Sequence, residues 1–339
     1  MKSVNEELEN MKTLQVFEST EKVPEKANIT ASRWIFKYKK NSKGEIIKRK
    51  SRLVAKGFTQ QKGIDYHETF SPTLKSDSIR IFTALAVQNK FNIHQIDINA
   101  AYLNAPLKEE IYMKPPKGHE DYNKRYWKLK RAIYGLKQSG KQWNDELHKY
   151  LTKIHYKRII SEPCLYIKEN KNNKIIGLLA VYVDDILLSG DETTINQTKT
   201  LIKNKFKIKD IGKVNYIIGI KFIKHKHGYF LNQTRYIEEI LDKFNMRNTT
   251  PSRNTKPVED EELRKIKFDQ TKYRSIVGNL LFSYINQTRY HILSGKSCTK
   301  IKKPNLRRLV KYHEDPKISQ GNNKLWSQLY KTKGNNGLC

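Results

Sequence analysis

Val181-Tyr182-Val183-Asp184-Asp185-Ile186-Leu187-Leu188-Ser189-Gly190 sets two adjacent carboxylates inside an apolar run. Leu178 to Val183 lead into the pair and Ile186 to Leu188 lead out of it. Runs of this length, rich in Val, Ile and Leu, predict buried strands. An Asp-Asp pair between two of them predicts the tight turn of a hairpin. Two like charges at that point repel each other and resist desolvation. A divalent cation with oxygen ligands would compensate them. A plain solvated turn would accommodate them too, because Asp is a common turn residue. The pair alone leaves both readings open.

The surrounding charge narrows the choice. The chain has 339 residues, with 66 Lys and Arg against 34 Asp and Glu, a net charge of +32. With hydrophobic content at 37% and charged content at 29%, a globular protein with a very polar surface is expected. So large a cationic excess points to a polyanionic partner, nucleic acid first and an anionic membrane surface second. No amphipathic basic helix stands out, and no apolar run reaches the ~18 residues of a membrane span. The first residues, Met1-Lys2-Ser3-Val4-Asn5, carry no apolar segment of signal-peptide type. Cys164, Cys298 and Cys339 are too widely spaced for a disulfide framework or a zinc site. An intracellular, reducing setting is expected.

Upstream of the pair, residues 5–18 carry Leu8, Met11, Leu14 and Phe17 at helical spacing. Residues 19–31 form a loop with Pro24. Trp34 to Tyr38 and Glu45 to Ala55 flank the turn signal Asn41-Ser42-Lys43-Gly44. Together they predict a long basic hairpin. A helix is predicted to start at Ser76-Asp77, and a strand to run from Ile93 to Ile98 with Gln95 and Asp97 on one face. Ala100 to Leu103 predict a tight turn or short helix, and Ile111–Met113 and Tyr126–Leu129 short strands. Tyr134 to Gly140 open a helix whose apolar face holds Trp143, Leu147, Tyr150, Leu151 and Ile154.

Downstream, residues 192–207 predict a basic helix, Val214 to Ile223 a strand, and Thr234 onward a strongly periodic helix. Residues 247–262 read as a polar linker, and Tyr273 to Ile285 as an apolar helix. The fold class expected is α+β, a mixed antiparallel sheet with helices on one face. If the strands ending at Asp97 and Asp184 are neighbours, carboxylates converge at one sheet edge, with Asp185 a third. A negative hole in so positive a surface is the layout of a two-metal phosphoryl-transfer site. A noncatalytic nucleic-acid binder has the same overall charge.

The motifs resemble one family in consistent order. Tyr182-Val183-Asp184-Asp185 resembles the aspartate motif of reverse transcriptases. The surroundings resemble the polymerase of Ty1/copia-type retrotransposons: Trp34-Ile35-Phe36-Lys37, Arg52-Leu53-Val54-Ala55-Lys56-Gly57-Phe58, Glu68-Thr69-Phe70-Ser71-Pro72, Gln95-Ile96-Asp97-Ile98-Asn99-Ala100-Ala101-Tyr102-Leu103 and Tyr134-Gly135-Leu136-Lys137-Gln138. The likeness runs from about residue 5 to residue 290.

The resemblance implies a right-hand polymerase with fingers and palm, an RNA template, a DNA primer and product, and deoxynucleotide substrates. Asp97, Asp184 and Asp185 would be the catalytic carboxylates and, with the Ile98 carbonyl, would hold two Mg²⁺ ions, with Mn²⁺ a possible substitute. Tyr102 would be an aromatic gate against the ribose 2′-hydroxyl, with a core tyrosine the alternative. Arg52 and Lys56 would bind the incoming triphosphate, with a surface charge the alternative for Lys56. Gln138 would contact nucleotide or template. His225 and His227 read as turn residues.

The resemblance also implies a division of the chain. Residues 1–30 would be an N-terminal helix and linker, 31–246 fingers and palm, and 247–292 a linker and helical thumb-like or connection-like segment. Residues 293–339 would be a degenerate basic tail, poorly ordered. Where this family commonly continues Gln-Ala-Pro or Gln-Ser-Pro, this chain has Gln138-Ser139-Gly140. Its Thr-Arg-Pro-Asp-Ile stretch reads Thr288-Arg289-Tyr290-His291-Ile292. RNase H and integrase regions are expected elsewhere in an intact polyprotein. A truncated, inactive nucleic-acid-binding remnant is the rival expectation.

Overall fold

The computed structural model describes residues 2–40, 45–249, 269–286, 290–293 and 321–322. The turn predicted at Asn41 to Gly44, most of the linker at 247–262 and nearly all of the tail lie outside the described residues.

The first unit comprises residues 1–82 and 91–213, the second residues 83–90 and 214–339. In the first, α1 (Lys2–Thr13) is followed by β1 (Phe17–Thr20), β2 (Ile29–Thr30), β3 (Ser32–Lys40) and β4 (Ile46–Ala55). After α2 (Ser76–Gln88), which the first unit holds only as far as Phe82, come β5 (Asn92–Ile98), β6 (Pro106–Met113), β7 (Tyr126–Arg131) and α3 (Ser139–Lys153). Then β8 (Lys157–Ile159), β9 (Glu162–Glu169), β10 (Ile175–Tyr182), β11 (Asp185–Gly190), α4 (Glu192–Lys205) and β12 (Ile208–Lys213) complete it.

The central sheet has the order β12-β5-β11-β10-β9-β8. Its neighbouring strands pair antiparallel. Alternation puts Ile96, Ile98, Leu179, Val181, Ile186 and Leu188 in one buried cluster with Trp143, Leu147 and Leu151 of α3 and Ile202 of α4. That is the expected helical layer on one face. Asp191 caps α4, its carboxylate accepting the Thr194 N–H at 2.7 Å.

A second sheet, β1-β7-β6-β2, carries its own core of Met11, Val16, Ile111, Met113, Trp127 and Leu129. Here the structure differs from the long helix predicted over residues 5–18. Gln15 takes φ 50, the helix stops, and Phe17 to Thr20 pair with β7. Phe17 had supplied part of the helical stripe. It instead stacks on Trp127, ring centroids 3.6 Å apart. The N-terminal segment is therefore built into the first unit.

The second unit contains β13 (Tyr216–Ile217), β14 (Ile220–His225), β15 (Gly228–Asn232) and α5 (Thr234–Lys243). The strand predicted over Val214 to Ile223 is divided by a turn at Ile218 and Gly219, both at positive φ. The strand Tyr290–Leu293 adds to β15. The helix Gln270–Asn286 meets α5 through Tyr236 and Phe282, ring centroids 5.0 Å apart. The α+β reading holds.

Candidate active site

The strands β10 and β11 form a hairpin in which Tyr182 pairs with Asp185. Val183 and Asp184 are its two-residue turn. Val183 lies at φ 55, a region that Gly and Asn enter readily and a β-branched residue does not. Such a placement carries on the order of 1–3 kcal/mol of strain and persists only where neighbours impose it. Two bonds do so. The Trp143 indole Nε1–H donates to the Val183 carbonyl at 2.7 Å, and the Ile98 N–H donates to the Asp184 carbonyl at 2.8 Å.

The second of these bonds joins the hairpin to β5. In that register Asp185 stands directly opposite Asp97. Carboxylates 90 or so positions apart in sequence thus meet on one sheet face, where Gln95 Nε2 also donates to Asp185 Oδ1 at 3.0 Å. Burial raises the Asp185 pKa, the Gln95 bond opposes that, and the charges of Asp184 and Asp97 add to the rise. No hydrogen bond or ion pair reaches the Asp184 carboxylate among the described residues, so its oxygens are open. As the side chains stand, no three His, Cys, Asp or Glu among the described residues form a ready cage for a metal ion. Asp185 is engaged by Gln95. The oxygen donors that lie along the β5–β11 seam, Asp97 and Asp184 beside the Ile98 main chain, are hard ligands of the kind Mg²⁺ and Mn²⁺ take.

Beyond β5 the chain turns through Ala100 at φ 51 into a short 3-10 helix, Ala101–Asn104. The Asn104 amide donates to the carbonyls of Asn99 and Ala100 at 3.2 and 3.1 Å, closing the turn. This presents Tyr102, half-buried, toward Tyr134 with ring centroids 4.9 Å apart. The Arg52 guanidinium lies over the Tyr134 ring at 4.3 Å. Burial pushes the Tyr134 hydroxyl up to about 12, with Arg52 opposing and Asp184 adding. Burial raises Tyr102 too, and the Asp184 charge adds to the shift. The electrostatics therefore link Arg52, Tyr134 and Tyr102 to Asp184. In the sequence Tyr134 stands out only as part of a motif. Its signal was there in the Tyr-Gly-Leu-Lys-Gln stretch, but not its function as the floor beneath Arg52.

Arg52 reaches this position because β4 ends against the loop at 134–135. The Ala55 N–H donates to the Tyr134 carbonyl at 2.8 Å. Two glycines make the approach possible: a Cβ on Gly57 would stand 2.1 Å from the Gly135 carbonyl, and one on Gly135 2.1 Å from the Ala55 carbonyl. Gly135 also sits at φ +94. The β3–β4 hairpin alternates as predicted. Ile35 is opposite Arg52 and Lys37 opposite Lys50, while Phe36 and Tyr38 project on the other face, 66% and 63% exposed. Lys56 follows directly after β4 and is half-buried, its N–H bonded to the Ala31 carbonyl. No partner for its ammonium occurs among the described residues.

Gln138 departs from its expected role. Its side chain is 0% exposed. Its Oε1 accepts from Gln60 Nε2 at 3.1 Å, and its Nε2 donates to the Asp65 carbonyl at 2.8 Å and to Glu109 Oε2 at 3.4 Å. An amide so committed holds the loop at 57–66 against the start of α3 and presents no group to a nucleotide. Gly140 lies inside the first turn of α3.

The family model described as "Reverse transcriptase (RNA-dependent DNA polymerase)" matches residues 15–259. The chain is 35% identical over 301 residues to the Retrovirus-related Pol polyprotein from transposon TNT 1-94 of Nicotiana tabacum, covering 84% of the chain and 22% of that polyprotein. It is 38% identical over 266 residues to the polyprotein from transposon RE1 of Arabidopsis thaliana, covering 76% and 18%. It is 34% identical over 196 residues to a putative transposon Ty5-1 protein of Saccharomyces cerevisiae, covering 55% and 62%. The chain therefore spans about a fifth of the length of the two plant polyproteins. A foamy viral protease–reverse transcriptase solved with double-stranded DNA superposes with a TM-score of 0.42 at 11% identity, over 84% of this chain and 40% of that one. That likeness is too distant to bear weight. The family match covers most of the chain, and the relatives it is similar to are Ty1/copia-type Pol polyproteins. The chain belongs to the reverse transcriptase (RNA-dependent DNA polymerase) family of those elements.

Proposed function

We propose that this chain is the polymerase segment of a Ty1/copia-type Pol polyprotein, and that it extends a DNA primer with deoxynucleotides on an RNA template. The observation that carries the proposal is the β5–β11 register, which sets Asp97 opposite Asp185 and ties Ile98 to Asp184. Asp97 and Asp184, with the Ile98 carbonyl, are the residues that would hold Mg²⁺ or Mn²⁺. When bound, such cations would lower the pKa of the primer 3′-hydroxyl and neutralise charge on the transferred phosphate and the leaving pyrophosphate.

The protein's own contribution is positioning and charge. Asp97 orients its oxygens from the end of β5 and Asp184 from the restrained turn beside it. Asp185, held by Gln95, stands beside them on the same sheet face. Tyr102 closes the nucleotide site on its sugar side and crowds a 2′-hydroxyl. Arg52, held over the Tyr134 ring, offers a fork suited to triphosphate oxygens, and Lys56 a point charge. RNase H and integrase functions would reside in other regions of the longer polyprotein.

Primer extension on an RNA template tests the proposal. The wild-type chain with Mg²⁺ is expected to extend, and Asp97→Asn or Asp184→Ala to reduce extension by about a thousandfold or more. Salt-sensitive binding of the primer–template with no metal-dependent extension by the wild type would instead identify a noncatalytic binder.

A further inference from the structure

The turn that bears Asp184 is gripped from the helical layer by one side chain. Trp143 lies in the first half of α3, 2% exposed, with its ring edge-on to Phe206 at a centroid distance of 5.2 Å. Its indole N–H donates to the Val183 carbonyl at 2.7 Å. That carbonyl belongs to the peptide plane that also contains the Asp184 nitrogen. Because the plane is rigid, fixing its oxygen fixes the pivot from which Asp184 projects. Val183 sits at φ 55, a position that a β-branched residue leaves when nothing restrains it. The bond from Ile98 to the next carbonyl, at 2.8 Å, fixes the far side of Asp184. One residue is thus pinned at both peptide planes, from α3 on one side and from β5 on the other.

We infer that Trp143 is a positioning residue for Asp184. Its indole N–H locks the Val183–Asp184 peptide in the left-handed turn and so sets the affinity of the cation site and the rate of transfer, with little effect on nucleotide binding. The inference rests on the reading of Asp184 as a cation ligand. An indole buried only to fill the core would need the ring and not the N–H. The short, well-directed bond to a strained turn separates the two cases.

Trp143→Phe keeps an aromatic ring against Phe206 and removes the donor. In the full chain, kcat is expected to fall about 10- to 100-fold, as for a catalytic group displaced by about 1 Å, while KM for deoxynucleotide changes less than about threefold. Mn²⁺ titration followed by electron paramagnetic resonance is expected to show weaker binding, and amide exchange across 183–186 to accelerate. Adding Val183→Gly should recover much of the lost Mn²⁺ affinity, because glycine adopts this φ without restraint. Unchanged Mn²⁺ affinity and exchange in Trp143→Phe, or no recovery with glycine, overturns the inference.

Should Trp143→Phe fail to fold, the wild-type chain supplies the measurement. The Trp143 indole resonance, identified by substituting the other tryptophans, should exchange slowly and shift on Mn²⁺ or Mg²⁺ addition, and should not shift in Asp184→Ala. A fast-exchanging or metal-insensitive indole overturns it. If the wild type extends no primer, the polymerase reading fails, yet the Mn²⁺ and exchange measurements still decide the role of Trp143.

Discussion

Asp184 and Asp185 are neighbours in sequence with different environments. Asp184 occupies the turn with open oxygens, whereas Asp185 is the first residue of a strand and bonds Gln95. The sequence carried the pair but not this division, which depends on a register partner far away in the chain. The proposed gate is a sharper case. Tyr102 meets Tyr134 and feels the Asp184 charge, so Tyr102→Ala is expected to raise ribonucleotide incorporation by at least about tenfold, measured as the ratio of ribo- to deoxynucleotide use. Unchanged selectivity removes Tyr102 from the sugar side. Gln138 is buried and bonded to Gln60 and Asp65, and a buried amide and a substrate-facing amide have the same letter and the same motif. Only burial separates them.

His94 adds a pH effect away from the carboxylates. Its Nδ1 faces the Lys199 ammonium at 2.9 Å. Burial lowers its pKa and Lys199 lowers it further, against Glu192 and Asp210, with Lys213 adding. His148 is lowered as well, by burial and Arg158. A histidine whose folded pKa is depressed binds fewer protons folded than unfolded just below its ordinary value of 6.5. Stability is then fully present above that value and declines as pH falls toward the folded pKa. Thermal unfolding is therefore expected to show a falling melting temperature between about pH 7 and 5, with His94→Asn reducing the slope. An equal slope in the variant would locate the effect elsewhere.

Most elements were legible because their periodicities are strong: the β10–β11 hairpin, α3, α4 and α5 all follow the apolar spacing of their sequences. The misses have physical causes. β12 is an edge strand beside β5 with Lys209, Asp210 and Lys213 along it, and edge strands are charged to prevent further pairing. It therefore lacks an apolar signature. Val214 to Ile223 looked continuous because one glycine in an apolar run gives little warning of a turn. The junction of β4 with the loop at 134–135 was equally hidden, since two glycines must be seen together to matter. It makes a clear stability prediction. Gly135→Ala is expected to cost about 3 kcal/mol or more, from left-handed backbone plus a backbone clash. Gly63→Ala, at φ +86 but with open space around its Cβ position, is expected to cost only about 1–2 kcal/mol. Urea unfolding of the two variants compares them directly, and equal losses would show that the contact between Gly135 and Ala55 is not tight.

For the molecule as a whole, charge and family were the most readable features, and the division into units the least. The net +32 implies strongly salt-dependent affinity for primer–template. A protein neutralising 6–10 phosphates loses about 10³- to 10⁵-fold in affinity between 50 and 200 mM salt. Fluorescence anisotropy across that range should show a loss of this order, and a flat profile would mean that the cations do not meet the backbone. The break after Lys213 carried no compositional mark, because apolar segments of the same character lie on both sides. No helix among the described residues is long and apolar enough to cross a membrane.

The strand order of the central sheet also has a kinetic consequence. β10 and β11 are joined by a two-residue turn, and hairpins of that kind close in about 1–10 μs. β5 must instead be recruited from far upstream, with β6, β7, α3, β8 and β9 intervening, before it can enter between β11 and β12. Such non-local closure is slow. The turn carrying Asp184 can therefore form early, but Asp97 reaches it only when the sheet is complete. The cation binding proposed at this seam would then be a late folding event. It would distinguish finished chains from collapsed intermediates that already hold the hairpin.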